Sequence, residues 1–282
     1  METEAASPPS DLTGRTFLVT GATSGIGRAT AVGLARRGAR VLLGCRSTER
    51  AAAVEHEIRS IAGAATAEHV PLDLADLDSV RACAAAVAAR DEPVHVLVNN
   101  AGVAGRRGVT DQGFELTFGV NHLGHFLLTT QLLDQLGALA PRRVVTLSSK
   151  AHHGVKRLDL DALARPTRTR TGLVEYQVSK LCNVLFTQEL ARRNSDVQAF
   201  AVHPGLIASN IWEPVPRPLR ALAKRFMGST EDGADAPLHC ATAPKVGPSG
   251  SYVEEGAVCE PNPIVTPELA RRLWDCSEAW TS

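Results

Sequence analysis

Short apolar runs alternate with longer amphipathic stretches along the first two hundred residues. The runs are continuously apolar, which is typical of strands covered by helices on both faces. Six runs are predicted as strands, at residues 16–20, 40–44, 67–71, 94–98, 143–147 and 197–202. The stretches between them have helical periodicity and are predicted as helices at 28–37, 48–62, 76–90, 114–136 and 174–193. This alternation predicts an α/β fold, a Rossmann-type doubly wound parallel sheet with helices on both faces.

The alternation contains no linker. We therefore expect residues 13–282 to form a single domain behind a flexible N-terminal tail, residues 1–12. Two segments break the rhythm: an Arg- and Thr-rich insertion at 151–171, and a segment at 206–228 with three prolines and a basic amphipathic stretch. Both follow the carboxyl ends of strands, where open α/β sheets bind ligands, so we expect them to shape a substrate pocket. Contact of the basic stretch with a membrane or a partner is the alternative.

The composition excludes several classes of protein. Net charge is +0 and 4% of residues are aromatic, so neither a basic surface nor a base-stacking platform for nucleic acid is expected. The sequence has no apolar run long enough to span a membrane, and its first residues lack the apolar core of a signal peptide. Six cysteines lack the CxxC spacing of zinc sites. We expect a cytoplasmic protein with no metal and no transmembrane anchor.

A glycine-rich turn follows the first predicted strand, T-G-A-T-S-G-I-G at 20–27. Gly21 permits a sharp turn, Gly25 lets a pyrophosphate approach the backbone, and Gly27 lets the helix pack closely on the strand. The helix N-terminus offers its free N–H groups to phosphate. Placed between a strand and a helix, the turn predicts a dinucleotide site. Its cofactor-binding residues are Gly21, Thr23, Ser24, Gly25, Ile26 and Gly27.

The end of the second strand bears on the choice of nucleotide. Sites for NAD carry an acid here, to bind the ribose 2′-hydroxyl, whereas sites for NADP carry a base. This chain has Gly44-Cys45-Arg46-Ser47, without an acid. The guanidinium of Arg46 can bind a phosphate in a bidentate manner, so we predict NADP(H), with Arg46 and Ser47 in contact with it. A solvated surface arginine is the alternative.

Tyr176 and Lys180 lie four residues apart on a predicted helix, which places them on one face. A phenol has a pKa near 10, and a nearby ammonium stabilises its phenolate. Such a tyrosine can act as a general acid or base. Taken alone, however, the Y-x-x-x-K pattern is a common surface pair.

The order of the motifs along the chain makes their combination specific. T-G-x-x-x-G-I-G is followed by N-N-A-G at 99–102, Asn121, Ser148-Ser149, Y-x-x-x-K and Pro204-Gly205. Together they resemble the short-chain dehydrogenase/reductase superfamily over nearly the whole chain. The stretches GCRS, VNHLGHFLLT, SKLCNVLFTQELARR and HPG are similar to the retinol dehydrogenase-like reductases within it.

The resemblance implies a role for each matching residue. Ser149, rather than Ser148, would hold the substrate oxygen, and Tyr176 would exchange its proton. Lys180 would bind the nicotinamide ribose and lower the phenol pKa, while Asn121 would hold a water that links Lys180 to solvent. Further cofactor contacts are implied at Asp73, Leu74, Asn99, Ala101, Gly102, Pro204, Gly205 and Ile207. Relatives commonly form homodimers or homotetramers through the helices that bear Asn121 and Tyr176, so the resemblance implies such an oligomer, and a monomer is the alternative that the sequence leaves open.

The resulting expectation is an NADPH-dependent reductase of a ketone or aldehyde, which can also oxidise the matching alcohol. Its partner is a small-molecule carbonyl or alcohol substrate. A dinucleotide-binding redox sensor or scaffold with little turnover is the alternative. A nucleotide-sugar epimerase or dehydratase needs a longer C-terminal substrate domain than the 78 residues (282 minus 204) that follow Pro204. His152 and His153 are additional candidates for donating a hydrogen bond to the substrate.

Overall fold

One eight-stranded sheet organises the chain. The structure, a computed structural model, describes residues 11–62, 66–136, 142–205 and 228–282. The strands within these ranges are β1 Thr16–Thr20, β2 Arg40–Cys45, β3 Ala67–Pro71, β4 Val96–Asn99, β5 Arg142–Leu147, β6 Val197–His203, β7 Tyr252–Glu254 and β8 Ala257–Cys259. Their order is β3-β2-β1-β4-β5-β6-β7-β8. All neighbours are parallel except β7 and β8.

The helices lie on both faces of this sheet. They are α1 Gly25–Ala35, α2 Thr48–Ala62, α3 Leu77–Ala88, α4 Leu116–Phe118, α5 Gly124–Leu132, α6 Leu160–Leu163, α7 Leu173–Arg193, α8 Thr230–Thr242 and α9 Pro267–Thr281. The first six strands have the Rossmann order 3-2-1-4-5-6, in which the direction of winding reverses between β1 and β4. The predicted fold class is therefore confirmed.

Adjacent residues of β1 show how the sheet separates two apolar cores. Phe17 and Val19 pack with side chains of α1, α2 and α8, whereas Leu18 packs with those of α3, α5, α7 and α9. Successive side chains of a strand point to opposite faces, so a continuously apolar strand supplies both cores. This explains why the buried strands have no alternating pattern.

Two predicted helices differ from the observed ones. The first begins at Gly25 rather than at residue 28, because the glycine-rich motif itself supplies the first helical turn. The long helix predicted at 114–136 is interrupted. A π-helical turn, Gly119–Leu123, separates α4 from α5. Such turns shift the backbone hydrogen bonds by one residue and occur frequently at functional sites.

The ends of the chain add features that the hydrophobic pattern did not predict. Strands β7 and β8 and helices α8 and α9 extend the sheet and cover its faces. Leu12, the last residue of the predicted tail, is buried, and its N–H donates to the Arg37 carbonyl at 2.7 Å. The packed chain therefore begins before residue 13. In the part of the chain that the structure describes, no helix is both long and apolar enough to cross a membrane.

Candidate active site

A cleft opens at the carboxyl ends of the central strands, beside β1 and β4. Its lining includes most of the predicted site residues: Gly21, Thr23, Ser24, Gly25, Ile26, Gly27, Arg46, Ser47, Asp73, Leu74, Ala101, Gly102, Tyr176, Lys180 and Pro204. Arg50, Asn100, Val103 and Arg106 also line it, although they were not predicted. The cleft thus lies where the winding of the sheet reverses, the usual ligand position in such folds.

The glycine-rich turn has the shape of a phosphate cradle. Gly21 and Gly25 have φ angles of +65° and +53°, which side-chain-bearing residues rarely adopt. A Cβ on Gly27 would lie 2.3 Å from Asn100 Nδ2, so only glycine allows this approach. A Cβ on Gly25 would meet nothing within 4 Å, so this position faces open space.

The N-terminus of α1 is prepared for an anion. Ser24 precedes the helix in an extended conformation, and among the described residues its side chain makes no capping hydrogen bond and no acidic residue lies in the first turn. The first N–H groups of α1 therefore keep their donors directed at the cleft. Free donors and the helix dipole both favour a negatively charged ligand group.

Thr20 joins the glycine-rich turn to the N-N-A-G turn. Its Oγ1 accepts the N–H groups of Asn100 and Ala101, each at 2.9 Å, and its carbonyl accepts Asn100 Nδ2 at 2.7 Å. Asn99 instead points below the cleft, where Nδ2 donates to Thr129 Oγ1 at 2.9 Å. Asn100, which sequence reasoning missed, is thus the residue that braces the turn, while Asn99 is a buried packing residue.

Two arginines border the far end of the cleft. Arg46 is 71% exposed, and its Nη1 lies 3.8 Å from Asp73 Oδ2. Arg50 stands in the first turn of α2, and its N–H donates to Ser47 Oγ at 3.2 Å, as in a helix N-cap. Arg50 follows the end of β2 by five residues, and this nearness to the carboxyl end of a strand is the signal by which the sequence could have identified it.

The predicted catalytic residues converge at the opposite end. Lys180 Nζ lies 5.6 Å from the centre of the Tyr176 ring and donates to the Leu147 carbonyl at 2.9 Å. Ser149 acts on the pKa of Tyr176 as a hydrogen-bond partner, and its Oγ also accepts the Ala151 N–H at 3.2 Å. Ser148 Oγ donates to the Lys180 carbonyl at 2.8 Å, which holds its hydroxyl away from Tyr176. Of the two adjacent serines, Ser149 is therefore the one placed beside the tyrosine.

Burial shifts the pKa values in this group. Burial raises the pKa of Tyr176, and the hydrogen bond with Ser149 acts in the opposite direction. Burial also lowers the pKa of Lys180 to about 8. Lys180 does not contribute to the shift in this structure, so the expectation that it lowers the tyrosine pKa stays a prediction. The lysine ammonium is bound to a backbone carbonyl, and burial of the phenol has the larger effect.

Asn121 occupies the π-helical turn and binds the strand-to-helix loop after β4. Its Oδ1 accepts the Val103 N–H at 2.8 Å, and its Nδ2 donates to the Val103 carbonyl at 2.9 Å and to Ser179 Oγ at 3.0 Å. A Cβ on Gly102 would lie 3.2 Å from Asn121 Oδ1 and 3.7 Å from Lys180 Nζ. The N-N-A-G turn, Asn121 and Lys180 are therefore in close contact.

His152 has no ring nitrogen left for a substrate. Its Nδ1 donates to the Ser149 carbonyl at 2.6 Å, and its Nε2 accepts the Asn262 N–H at 3.1 Å. The hypothesis that His152 donates to a substrate is therefore wrong. His153 is exposed, and its ring packs against the His152 ring at a tilt of 39°, with ring centres 4.0 Å apart. Asn262, missed in the sequence, anchors this turn through further bonds to the His152 and Val155 carbonyls.

Two further predicted cofactor contacts, Gly205 and Ile207, follow Pro204 in the sequence. Gly205 follows Pro204 with a φ of +88°, and Ile207 lies outside the described residues, as do positions 206–227. Within the described ranges, no group of three or more His, Cys, Asp or Glu residues is arranged to hold a metal ion.

Comparison with known proteins places this architecture in a family. The family model for short chain dehydrogenases matches residues 15–159. Human retinol dehydrogenase 11 is 42% identical over 273 residues, which cover 94% of this chain and 85% of that protein. A crystal structure of an uncharacterised protein from Mycobacterium paratuberculosis is 36% identical, with a TM-score of 0.77 and coverage of 98% of this chain and 96% of that one. A predicted NAD(P)-dependent gluconate 5-dehydrogenase from Beutenbergia cavernae, solved with NADP bound at low occupancy, is 29% identical, with a TM-score of 0.70 and coverage of 88% of this chain and 97% of that one.

Proposed function

The chain belongs to the short-chain dehydrogenase/reductase family of oxidoreductases and is similar to retinol dehydrogenases, and from this premise we propose that it is an NADPH-dependent reductase of a ketone or aldehyde. The observation that carries the proposal is that Tyr176 and Lys180 line one end of a cleft whose other end holds Arg46 and Arg50, with Ser149 beside Tyr176. Proton-transfer groups and a phosphate-binding end thus share one cavity.

The residues of the cleft fit a dinucleotide phosphate. The open space above Gly25 and the uncapped N-terminus of α1 suit a pyrophosphate, and Gly27 allows the close backbone approach. Arg46 and Arg50 suit an additional phosphate on the adenosine ribose, because a guanidinium pairs with phosphate in a bidentate manner. Gly102, Pro204 and Lys180 also line the cleft and suit the nicotinamide half of the cofactor.

In the proposed reaction the cofactor supplies a hydride to the carbonyl carbon, and the protein supplies position and a proton. Ser149 Oγ holds the substrate oxygen beside Tyr176, and Tyr176 Oη donates its proton to that oxygen. Lys180 binds the nucleotide ribose and, as a cation, stabilises the phenolate that remains. After Tyr176 has donated its proton, the phenol takes up a new proton from solvent, and Asn121 lies on this proposed proton path.

The raised pKa of Tyr176 favours one direction of the reaction. A tyrosine that keeps its proton at neutral pH is ready to donate it, as carbonyl reduction requires. Alcohol oxidation needs the phenolate, which burial disfavours. We therefore propose reduction as the direction favoured at neutral pH, with oxidation gaining at alkaline pH.

A substrate panel tests the proposal. Oxidation of NADPH is followed by absorbance at 340 nm and pH 7, with ketones, aldehydes including retinal, and quinones as substrates. The same assay with NADH gives the matched comparison of kcat/KM. The expected result is turnover with at least one carbonyl class and a higher kcat/KM for NADPH than for NADH. Tight NADPH binding without turnover on any class would instead favour a redox sensor or scaffold.

A further inference from the structure

A buried histidine connects the glycine-rich turn to the π-helical turn. His125 stands in the first turn of α5 and is 1% exposed. Its Nδ1 lies 3.0 Å from the Asn121 carbonyl oxygen, and its Nε2 lies 2.8 Å from Thr20 Oγ1. Thr20 directly precedes Gly21 of the turn. One imidazole ring therefore spans the distance between the cofactor-binding turn and the turn that carries Asn121.

The partners determine how the ring is protonated. A carbonyl oxygen only accepts, so Nδ1 carries the hydrogen and donates to Asn121. Nε2 of the neutral ring is then an acceptor, and the Thr20 hydroxyl donates to it at 2.8 Å, a shorter distance than the 3.4 Å to its other acceptor, the Val98 carbonyl. Thr20 Oγ1 meanwhile accepts the N–H groups of Asn100 and Ala101. Every group in this arrangement has a partner when the ring is neutral.

A charged ring does not fit the same site. A hydrogen on Nε2 would face a threonine oxygen whose lone pairs already accept two N–H groups. Burial is the main reason that the pKa of His125 is lowered to about 4, and the nearby Lys180 lowers it further. The hydrogen-bond geometry and the electrostatics therefore agree on a neutral ring that is protonated on Nδ1.

The hydrogen bonds form a closed circuit. Thr20 holds Ala101, the loop continues to Val103, and Val103 is bound by both polar atoms of the Asn121 side chain. The Asn121 carbonyl is held by His125, and His125 returns to Thr20. Two chains of hydrogen bonds therefore connect the glycine-rich turn to Asn121.

We propose that His125 is a positioning residue that couples nucleotide binding at the glycine-rich turn to the orientation of Asn121 in the proton path. The inference rests on the proposed function, because it assigns the two ends of the bridge to cofactor and proton. It adds to that function a role for His125, which acts through Thr20 and Asn121 and touches neither substrate nor cofactor.

Two substitutions separate the two hydrogen bonds. The amide nitrogen of asparagine can occupy the position of Nδ1, so His125→Asn keeps the donor to the Asn121 carbonyl. The amide oxygen of glutamine can reach the position of Nε2, so His125→Gln keeps the acceptor for Thr20. His125→Phe removes both bonds and preserves most of the volume.

The variants are compared by NADPH fluorescence titration and by the pH profile of kcat at saturating NADPH. Since a neutral hydrogen bond contributes about 0.5–1.5 kcal/mol, we expect His125→Asn to weaken NADPH binding roughly 3- to 10-fold while kcat changes less. His125→Gln should lower kcat by a similar factor and shift its pH profile, with NADPH binding changed less. His125→Phe should show both losses.

His122 provides the matched control. It is also fully buried and lies three residues away, but its Nε2 contacts Ser277 Oγ at 3.2 Å and its ring stacks on Phe118, away from the cleft. His122→Asn and His122→Gln should lower Tm without the split between NADPH binding and kcat. If the His125 variants show no such split, or match the His122 variants, the coupling role is overturned.

A second measurement requires no turnover. In the cofactor-free protein, long-range 1H–15N spectra of the histidine rings should show His125 neutral and protonated on Nδ1 from pH 8 down to about 5. The Nε2-protonated tautomer, or a cation in this range, would contradict the bridge. If no substrate is turned over, the NADPH titrations and these spectra still decide the inference, so its failure is distinguishable from failure of the proposed function.

Discussion

The ammonium of Lys180 donates a hydrogen bond to the main-chain carbonyl of Leu147 at 2.9 Å. Asn183 Nδ2 donates to the same oxygen, also at 2.9 Å, so this acceptor stays satisfied without the lysine. Lys180 is nearly fully buried. Burial of this charge therefore lowers the stability of the cofactor-free protein, and the hydrogen bond to Leu147 offsets only part of the free-energy cost of that burial.

We predict that Lys180→Met stabilises the cofactor-free protein and abolishes turnover. Burial lowers the pKa of Lys180 from 10.5 to about 8, and each unit corresponds to about 1.4 kcal/mol. After allowance for the lost hydrogen bond, we expect the free energy of unfolding at pH 7 to rise by about 1–3 kcal/mol. Urea denaturation followed by circular dichroism measures it, with the exposed Lys245→Met as the control.

The pH dependence of that difference has a defined sign. Below pH 8 the lysine is charged in both states, and the folded state bears the full cost. Between pH 8 and 10.5 the folded state releases the proton while the unfolded state keeps it, so the wild type gains stability as pH rises. The advantage of Lys180→Met should therefore shrink across this window. A constant or growing advantage would contradict the buried-charge argument.

Arg46→Ala should weaken NADPH binding much more than NADH binding. Loss of a charged hydrogen-bonded contact costs about 1.5–3 kcal/mol, which corresponds to a roughly 10- to 100-fold rise in the NADPH dissociation constant. Arg50→Ala should have a smaller effect in the same direction, because Arg50 lines the same end of the cleft. Arg59→Ala, an exposed position near the end of α2, is the control. Equal losses for both nucleotides would refute the NADP assignment.

Tyr176→Phe should remove turnover and leave NADPH binding nearly intact. General acid catalysis contributes about 100- to 10,000-fold to rate, and the phenylalanine ring keeps the shape of the cleft. The chain has 2 tyrosines, which makes Tyr252→Phe a natural control. The Tyr252 hydroxyl lies 3.4 Å from Glu254 Oε2, outside the cleft lining, so its loss should leave kcat unchanged. Activity retained in the Tyr176 variant would exclude it as the proton donor.

The first six strands and the position of the cleft were predictable, because apolar runs and glycine spacing are local signals. The predicted runs agree with the observed strands to within two residues. Strands β7 and β8 have three residues each, too few to show a periodicity. The start of α8 does carry a local sequence signal, because Ser229 and Asp232 form a reciprocal capping box there.

Side-chain partnerships in the site were less predictable, since they depend on contacts between residues far apart in sequence. Nothing near His125 indicates that its ring meets Thr20, 105 positions away. Similarly, the bond from Asn262 to His152 spans 110 positions and uses up a nitrogen that the sequence left open for a substrate. The direction of the Tyr176 pKa also follows from burial, which local sequence does not give.

Glu115→Ala should loosen the 151–171 insertion. The buried carboxylate accepts Thr167 Oγ1 at 2.5 Å and the Phe118 N–H at 2.7 Å, which joins the insertion to the start of α4. Loss of the carboxylate leaves the buried Phe118 N–H unpaired, at a cost of about 1–3 kcal/mol, whereas the Thr167 hydroxyl keeps only its longer bond to the Gly108 carbonyl at 3.2 Å. Trypsin should cleave faster within the insertion, as mapped by mass spectrometry. Asp159→Ala, an exposed helix cap in the same segment, is the control. Unchanged cleavage in the Glu115 variant would contradict this role.

Helix α9 bears on how copies of the chain can associate. Trp274 packs edge-on against Phe126 of α5, with ring centres 4.9 Å apart, and stacks on Phe186 of α7 at 5.9 Å. Ser277 contacts His122, and Arg193 of α7 lies over the Trp274 ring at 4.8 Å. The chain's own helix thus covers the apolar faces through which the sequence resemblance implied dimers or tetramers.

We therefore predict that the intact protein forms no homodimer through α5 and α7. Light scattering coupled to size-exclusion chromatography should give the monomer mass of 29.9 kDa. If it gives an oligomer instead, hydrogen exchange should show no added protection of α5 and α7. Trp274→Asp should destabilise α9 and expose the aromatic side chains beneath it, because a charge cannot be buried there without a partner. Glu278→Asp, at an exposed position of the same helix, should leave the mass and Tm unchanged. A wild-type dimer with protection confined to α5 and α7 would show that α9 is displaced on association.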